Sequence, residues 1–132
     1  MQLPDFVSHI GRTQGWPTRV DPSGELRIEV ATQPGRTQIV HVMQGADAEQ
    51  DPMVYVWSIA GDFGAARDLQ HLMRFSMRLS YGAVAIKDGW IVVKHSIRLA
   101  AADEVTLRKS IFYVGRAADM LEAEAYGAQD RQ

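Results

Sequence analysis

Arg67, His71, Arg74 and Arg78 recur at intervals of four, three and four residues. On a helix turning about 100° per residue they fall within about 60° of one another. Such a row turns guanidinium forks and an imidazole to one side, an arrangement that reads the carboxylates of an acidic protein segment or the oxygens of a phosphate. Arginine is also a good helix former that needs no ligand to be there. The same row therefore fits an ordinary solvated face, and both readings stay open.

The other candidates for chemistry are weaker. His9, His41, His71 and His95 fall on four different elements with no HxH or HxxxH pair to anchor a metal, so none is expected. Strand positions for His41 and His95 suit histidines packed among aliphatic side chains or at a sheet edge. A hydrolase would need one of them to meet a carboxylate in a pocket. Asp47, Glu49 and Asp51 alternate in a loop that lacks the central glycine and terminal glutamate of a calcium-binding loop, and it reads as solvated. No serine sits in a GxSxG turn, and no glycine-rich phosphate loop leads into a helix. The absence of cysteine excludes disulfides, thiolate metal sites and a thiol nucleophile. Nothing points to a cofactor.

Two further groups are adhesive rather than reactive. Tyr113, Ala117 and Met120 form a stripe near the chain's end, nearly opposite the apolar face of their helix. Tyr55 and Trp57 stand on a strand that is apolar on both sides. They are candidates for contact with a partner or second subunit, beside Arg67, His71, Arg74 and Arg78.

The elements that must position these residues follow from periodicity. Residues 3–11 fit a short helix carrying Phe6, Val7 and Ile10 on one side and ended by Gly11. Gly15-Trp16-Pro17 breaks it, and Asp21-Pro22-Ser23-Gly24 makes a turn. Leu26, Ile28 and Val30 alternate with Arg27 and Glu29 as in a half-buried strand. Arg36 to Gln44 and Met53 to Ala60 are strands with two apolar faces: Ile39 and Met43 against Val40 and Val42, then Met53, Tyr55, Trp57 and Ile59 against Val54 and Val56. Ala65 to Ser80 has helical period, with Leu69, Leu72, Met73, Ser76 and Leu79 toward the core. Ala83 to Lys87 and Trp90 to Leu99 form a hairpin about Asp88-Gly89. Asp103 caps a last helix reaching Tyr126, stopped by Gly127. Its core face is Leu107, Ile111, Val114, Ala118, Leu121 and Ala125, with Gly115 marking close approach to the sheet. Residues 128–132 read as a frayed tail.

The expected fold is therefore α+β, in the order α-βββ-α-ββ-α, with a five-stranded, mainly antiparallel sheet and helices packed on it in one domain. Its 132 residues, 46% apolar, suffice for a single core. Net charge is −2, so no global field recruits nucleic acid or anionic membrane. Residues 1–64 carry four basic and eight acidic groups, and the remainder ten and eight, which hints at faces of different sign. No signal peptide or spanning segment is visible, and a cytoplasmic protein is expected. With two substantial helices on one face, the other face of the sheet would keep apolar surface for a partner, unless the first helix and Gly15-Trp16-Pro17 fold over it.

Element order and spacing over almost the whole chain resemble the type III secretion chaperone-like fold, in particular the YbjN-type bacterial domains. The resemblance runs through Asp21-Pro22-Ser23-Gly24-Glu25-Leu26-Arg27-Ile28, Arg36-Thr37-Gln38-Ile39-Val40-His41-Val42 and Val54-Tyr55-Val56-Trp57-Ser58. It continues through the helix Leu69 to Leu79, Tyr81-Gly82-Ala83-Val84-Ala85-Ile86 and the hairpin Lys87-Asp88-Gly89-Trp90-Ile91-Val92-Val93. It implies a small cytoplasmic homodimer of the interaction type. Secretion chaperones hold an extended stretch of an effector against apolar grooves and strand edges, and YbjN-type domains are described as regulators. The expectation is a non-enzymatic protein-binding domain. The alternative is a small-ligand or nucleotide-sensing regulator using the basic helix row.

Overall fold

The computed structural model describes residues 2–65 and 68–125. The chain runs α1 (Leu3–Gln14), β1 (Thr18–Val20), β2 (Leu26–Gln33), β3 (Arg36–Ala46), β4 (Pro52–Asp62), α2 (Leu69–Met77), β5 (Ala83–Lys87), β6 (Trp90–Arg98) and α3 (Glu104–Ala125), with short 3-10 turns at Phe63–Ala65 and Leu99–Ala101. The strands form one antiparallel sheet in the order β1-β2-β3-β4-β6-β5.

The sheet thus has six strands rather than five. The extra one, β1, pairs Thr18, Arg19 and Val20 with Ile28, Arg27 and Leu26. Three residues are too few to show an alternation, so this strand is defined by its partner and not by its own pattern. The first helix also runs further than expected. Gly11 lies buried inside α1, and Gly15 at φ 75° ends it, donating its N–H to Gly11 O. Gly11 is small because of packing: a β-carbon there would collide with Thr18 Oγ1 and lie 2.8 Å from Trp16 O.

The helix expected over Ala65 to Ser80 is shorter. Asp68 caps α2, its carboxylate accepting the His71 N–H at 3.1 Å. Ala66 and Arg67 lie outside the described residues, as do Tyr126, Gly127, residues 128–132 and the side chain of Ala125. The phase of α2 also differs. Leu72 and Phe75 are buried and Leu79 is packed against the core, whereas Leu69 and Met73 face outward. The apolar residues of this segment wrap more than half the helix, so periodicity alone could not choose which part meets the sheet.

The core lies between α1, α2, α3 and one face of the sheet. From β2 come Leu26, Ile28 and Val30; from β3, Val40 and Val42; from β4, Val54 and Val56; from β6, Ile91, Val93 and Ile97. Helix α3 lies across β2, β3, β4 and β6. Its Leu107, Ile111, Val114, Ala118 and Leu121 are fully buried, each large side chain worth about 1.5–3 kcal/mol of burial. Gly115 permits the approach: a β-carbon there would lie 2.8 Å from Val40 Cγ2. Asp103 caps α3 as expected, accepting the Thr106 N–H at 2.7 Å, and that bond holds its carboxyl below the ordinary range. Asp119, 2% exposed, ties the other end of α3 to the β2–β3 hairpin, accepting from Thr32 Oγ1 at 3.0 Å and Arg36 Nη2 at 2.7 Å.

Among the described residues no helix covers the opposite face of the sheet. Trp16 does not fold over it; it is buried on the helix side, stacked on Phe112 with ring centroids 6.2 Å apart. The tight Asp88-Gly89 turn has φ of 51° and 82°, the left-handed pair that a two-residue hairpin of this twist requires.

Candidate functional site: the open sheet face and the cleft between two helices

Strand alternation places Ile39, His41 and Met43 of β3 beside Ile59, Trp57 and Tyr55 of β4, and these beside Val92, Lys94 and Ser96 of β6. All point away from the helices. At the centre Trp57 is sandwiched and only 9% exposed. The His41 ring stacks on it at 5.3 Å between centroids and 12° between planes, and Lys87 Nζ lies 5.5 Å from its centroid. Lys94 Nζ lies 4.9 Å from the centroid of Tyr55. The Tyr55 ring rests on the backbone of Gly45, where a β-carbon would sit 2.5 Å from it, and its hydroxyl donates to Ala46 O at 3.1 Å. Together Met43, Tyr55, Trp57, Ile86, Lys87 and Lys94 line a groove of about 450 Å³ that has no carboxylate in its wall. Lys87 also pairs with Asp88 on the turn at 3.5 Å. The groove offers flat aromatic surface, a flexible methionine and two ammonium groups.

His41 does not sit among aliphatics alone. Its Nδ1 is 3.3 Å from Glu25 Oε2, a carboxylate shared with Arg27 Nε at 3.2 Å. Burial lowers the His41 pKa, Glu25 opposing and Arg27 and Lys87 reinforcing the shift. The Thr18 hydroxyl, in the same hollow, donates instead to Trp16 O at 3.1 Å. His95 meets the Tyr81 ring edge-on at 5.6 Å, and burial lowers its pKa as well. Among the described residues no three His, Cys, Asp or Glu side chains gather as metal ligands would. His41 is thus a ring packed on Trp57 near Glu25, with its charged form disfavoured by burial.

Tyr113 and Met120 stand on the other side of the molecule. They line a cleft of about 570 Å³ between α2 and α3, with Phe75, Arg78, Leu79, Tyr81, Lys109 and Arg116 also in its wall. Ala117, expected on the displayed stripe, is buried there. The Tyr113 ring stacks on Tyr81 with centroids 5.4 Å apart and planes at 14°. Of the basic row, Arg78 enters the cleft, its guanidinium 5.9 Å from the Phe75 centroid. His71 and Arg74 lie beside it in a shallow hollow with Met77. His71 Nε2 is 3.2 Å from Glu124 Oε2 of α3. Arg67 lies outside the described residues.

The structure thus separates the candidate residues into two groups, with the core between them: Tyr55 and Trp57 on the open sheet, and Tyr113, Met120, Arg78, His71 and Arg74 around α2 and α3. Sequence reasoning missed Met43, Lys87 and Lys94, whose place beside Tyr55 and Trp57 depends on a strand register that no local pattern discloses. It also missed Lys109 and Arg116, although Lys109, Tyr113, Arg116 and Met120 repeat the same four-three-four spacing that revealed the row on α2. A third surface is apolar: Leu69, Met73 and Met77, one turn apart on α2, are 54%, 55% and 87% exposed. At the sheet's nearby edge Ser76 Oγ accepts the Val84 N–H at 2.9 Å, so α2 occupies that part of the β5 edge.

No family model matches the chain, and no curated protein matches it. Solved structures do. A chain of the HopA1–SchA chaperone–effector complex aligns over 90% of this chain and 91% of its own length, with a TM-score of 0.61 and 10% identity. A chain of the ExsC–ExsE complex aligns over 92% and 95%, with a TM-score of 0.56 and 14% identity. At such identities the likeness is one of fold alone, and it supports a shared α+β architecture across almost the entire chain.

Proposed function

We propose that this chain is a non-enzymatic, chaperone-like interaction domain that holds an extended segment of a partner protein against the open face of its sheet. The observation that carries the reading is the one-sided packing. Three helices cover one face, and the other displays Ile39, Met43 and Tyr55 around the buried Trp57, with Lys87 and Lys94 beside them. Aromatic rings and methionine provide adaptable apolar contact. The ammonium groups favour carboxylates nearby, so the preferred segment alternates apolar and acidic residues. The fold's likeness to chains from chaperone–effector complexes supports a protein partner.

The proposal includes a cytoplasmic homodimer. Its contact would be the apolar face of α2 formed by Leu69, Met73 and Met77, a surface that a solvated helix has no reason to carry. It also includes the YbjN-type placement, which rests on the order of elements and on the segments that resemble that family.

Selection from a library of unstructured peptides displayed on phage tests the binding mode. The expected result is enrichment of acidic–apolar sequences that bind the wild-type chain and bind at least tenfold more weakly to Lys87→Glu/Lys94→Glu. Both side chains point outward, so the variant keeps its fold. Failure to enrich any sequence, or equal binding by the variant, would remove the sheet face as the site.

A further inference from the structure

The cleft between α2 and α3 has features that segment binding on the sheet does not use. Its charged lining is three cations to one carboxylate: Arg78, Lys109 and Arg116 against Glu124. Glu124 is engaged by His71 at 3.2 Å. Arg78, Lys109 and Arg116 make no ion pair with any carboxylate among the described residues. A cation facing solvent is ordinary, and Arg74 and Lys94 likewise make no ion pair among the described residues; what marks these three is that they line one concavity whose single carboxylate, Glu124, already faces His71. Between them the wall is flat and apolar, built from the stacked Tyr81–Tyr113 pair, Phe75 and Met120. The volume of about 570 Å³ falls within the range of small-molecule sites, roughly 300–1,000 Å³.

We propose that this cleft binds a small organic anion with a planar ring, of the nucleotide class. The ring lies against Tyr113 and Met120. The phosphates meet Arg78, Lys109 and Arg116, guanidinium forks giving paired hydrogen bonds that a lone ammonium cannot. Stacking alone would accept any flat molecule, and charge alone any polyanion. The combination selects a ligand with both parts. The basic row read from the sequence contributes one member, Arg78; α3 supplies the other two cations. The site is separate from the open sheet face, so the two proposals stand or fall independently.

Calorimetric titration with ATP, adenosine and inorganic tripolyphosphate, each alone, tests it on the full chain. ATP should bind and the two fragments should each bind at least tenfold more weakly. Arg78→Ala/Arg116→Ala should weaken ATP binding tenfold or more, Arg78→Lys/Arg116→Lys should restore part of it, and Tyr113→Ala should reduce ATP affinity without altering tripolyphosphate binding. The cationic side chains are exposed, and the circular dichroism of each variant should match the wild type. No heat with millimolar ATP, tripolyphosphate binding equal to ATP, or ATP binding unaffected by the double variant would each overturn the proposal. So would displacement of ATP by a polyglutamate peptide that binds more tightly, which would make the cleft a site for acidic chain instead. Peptide binding by the sheet face, measured on the same variants, should not change.

Discussion

Two histidines report burial at the residue scale. His41 lies against Trp57 and His95 against Tyr81. Burial lowers the pKa of each from the ordinary 6.5; for His41 it prevails over the opposing attraction of Glu25, with Arg27 and Lys87 adding smaller contributions in the same direction as burial. The unfolded chain therefore binds protons that the folded chain still refuses, in the window from 6.5 down to the folded-state values. In that window stability rises with pH; it is fully present above 6.5 and is lost as the pH falls. Urea unfolding at about pH 7.5 and about pH 5.5 should show the loss, and His41→Gln/His95→Gln should flatten it. Equal slopes for the variant and wild type would mean that other groups set the acid sensitivity. The sequence disclosed the strand positions of both histidines, but not their aromatic neighbours. Trp57 comes from the adjacent strand and Tyr81 from the turn after α2, so those contacts exist only once the register is set.

Elements were legible where the chain carried local signals. The Asp88-Gly89 hairpin, the Asp103 cap and the close approach at Gly115 each depend on a few neighbouring residues, and each formed as read. Gly11 shows the limit: a glycine seen as a helix stop is a packing site for β1, a strand too short to be seen. Helix α2 shows another, since its apolar residues occupy two adjoining faces. Leu72 and Phe75 face the core, and Leu69, Met73 and Met77 are left for something else. Met77 in particular, 87% exposed, gains nothing from the monomer. If α2 is the dimer contact, Met73→Glu/Met77→Glu should yield a folded monomer by light scattering at a concentration where the wild type is a dimer. Carboxylates facing one another across a two-fold axis would repel and could not be desolvated without cost. A wild-type monomer at high concentration would refute the assignment, as would a variant that still dimerises.

The whole molecule is arranged as three surfaces around one core. The open sheet lies on one side, the cleft between α2 and α3 on the other, and the outer face of α2 near the β5 edge. The same architecture is kept in solved structures that share 10% and 14% of their residues with this chain. What sequence can drift without losing is the alternation and the helical stripe; what decides a partner is the outward side chains, which the core does not constrain. That is why the layers were readable from one chain and the grouping of Lys94 with Tyr55, or of Arg116 with Arg78, was not. The separation makes a prediction about coupling. Residues on well-separated surfaces with no shared partner perturb independently, within about 0.5 kcal/mol. Peptide affinity should therefore fall by the same factor when Lys87→Glu/Lys94→Glu is introduced into the wild type or into Met73→Glu/Met77→Glu, and the α2 variant alone should bind peptide as the wild type does. The cycle is read by fluorescence titration of Trp57-proximal peptide binding at matched ionic strength, since exposed charges are screened by salt. A loss of peptide binding in the α2 variant would mean that two subunits build the segment site together, and the open face of one chain would then be only half of it.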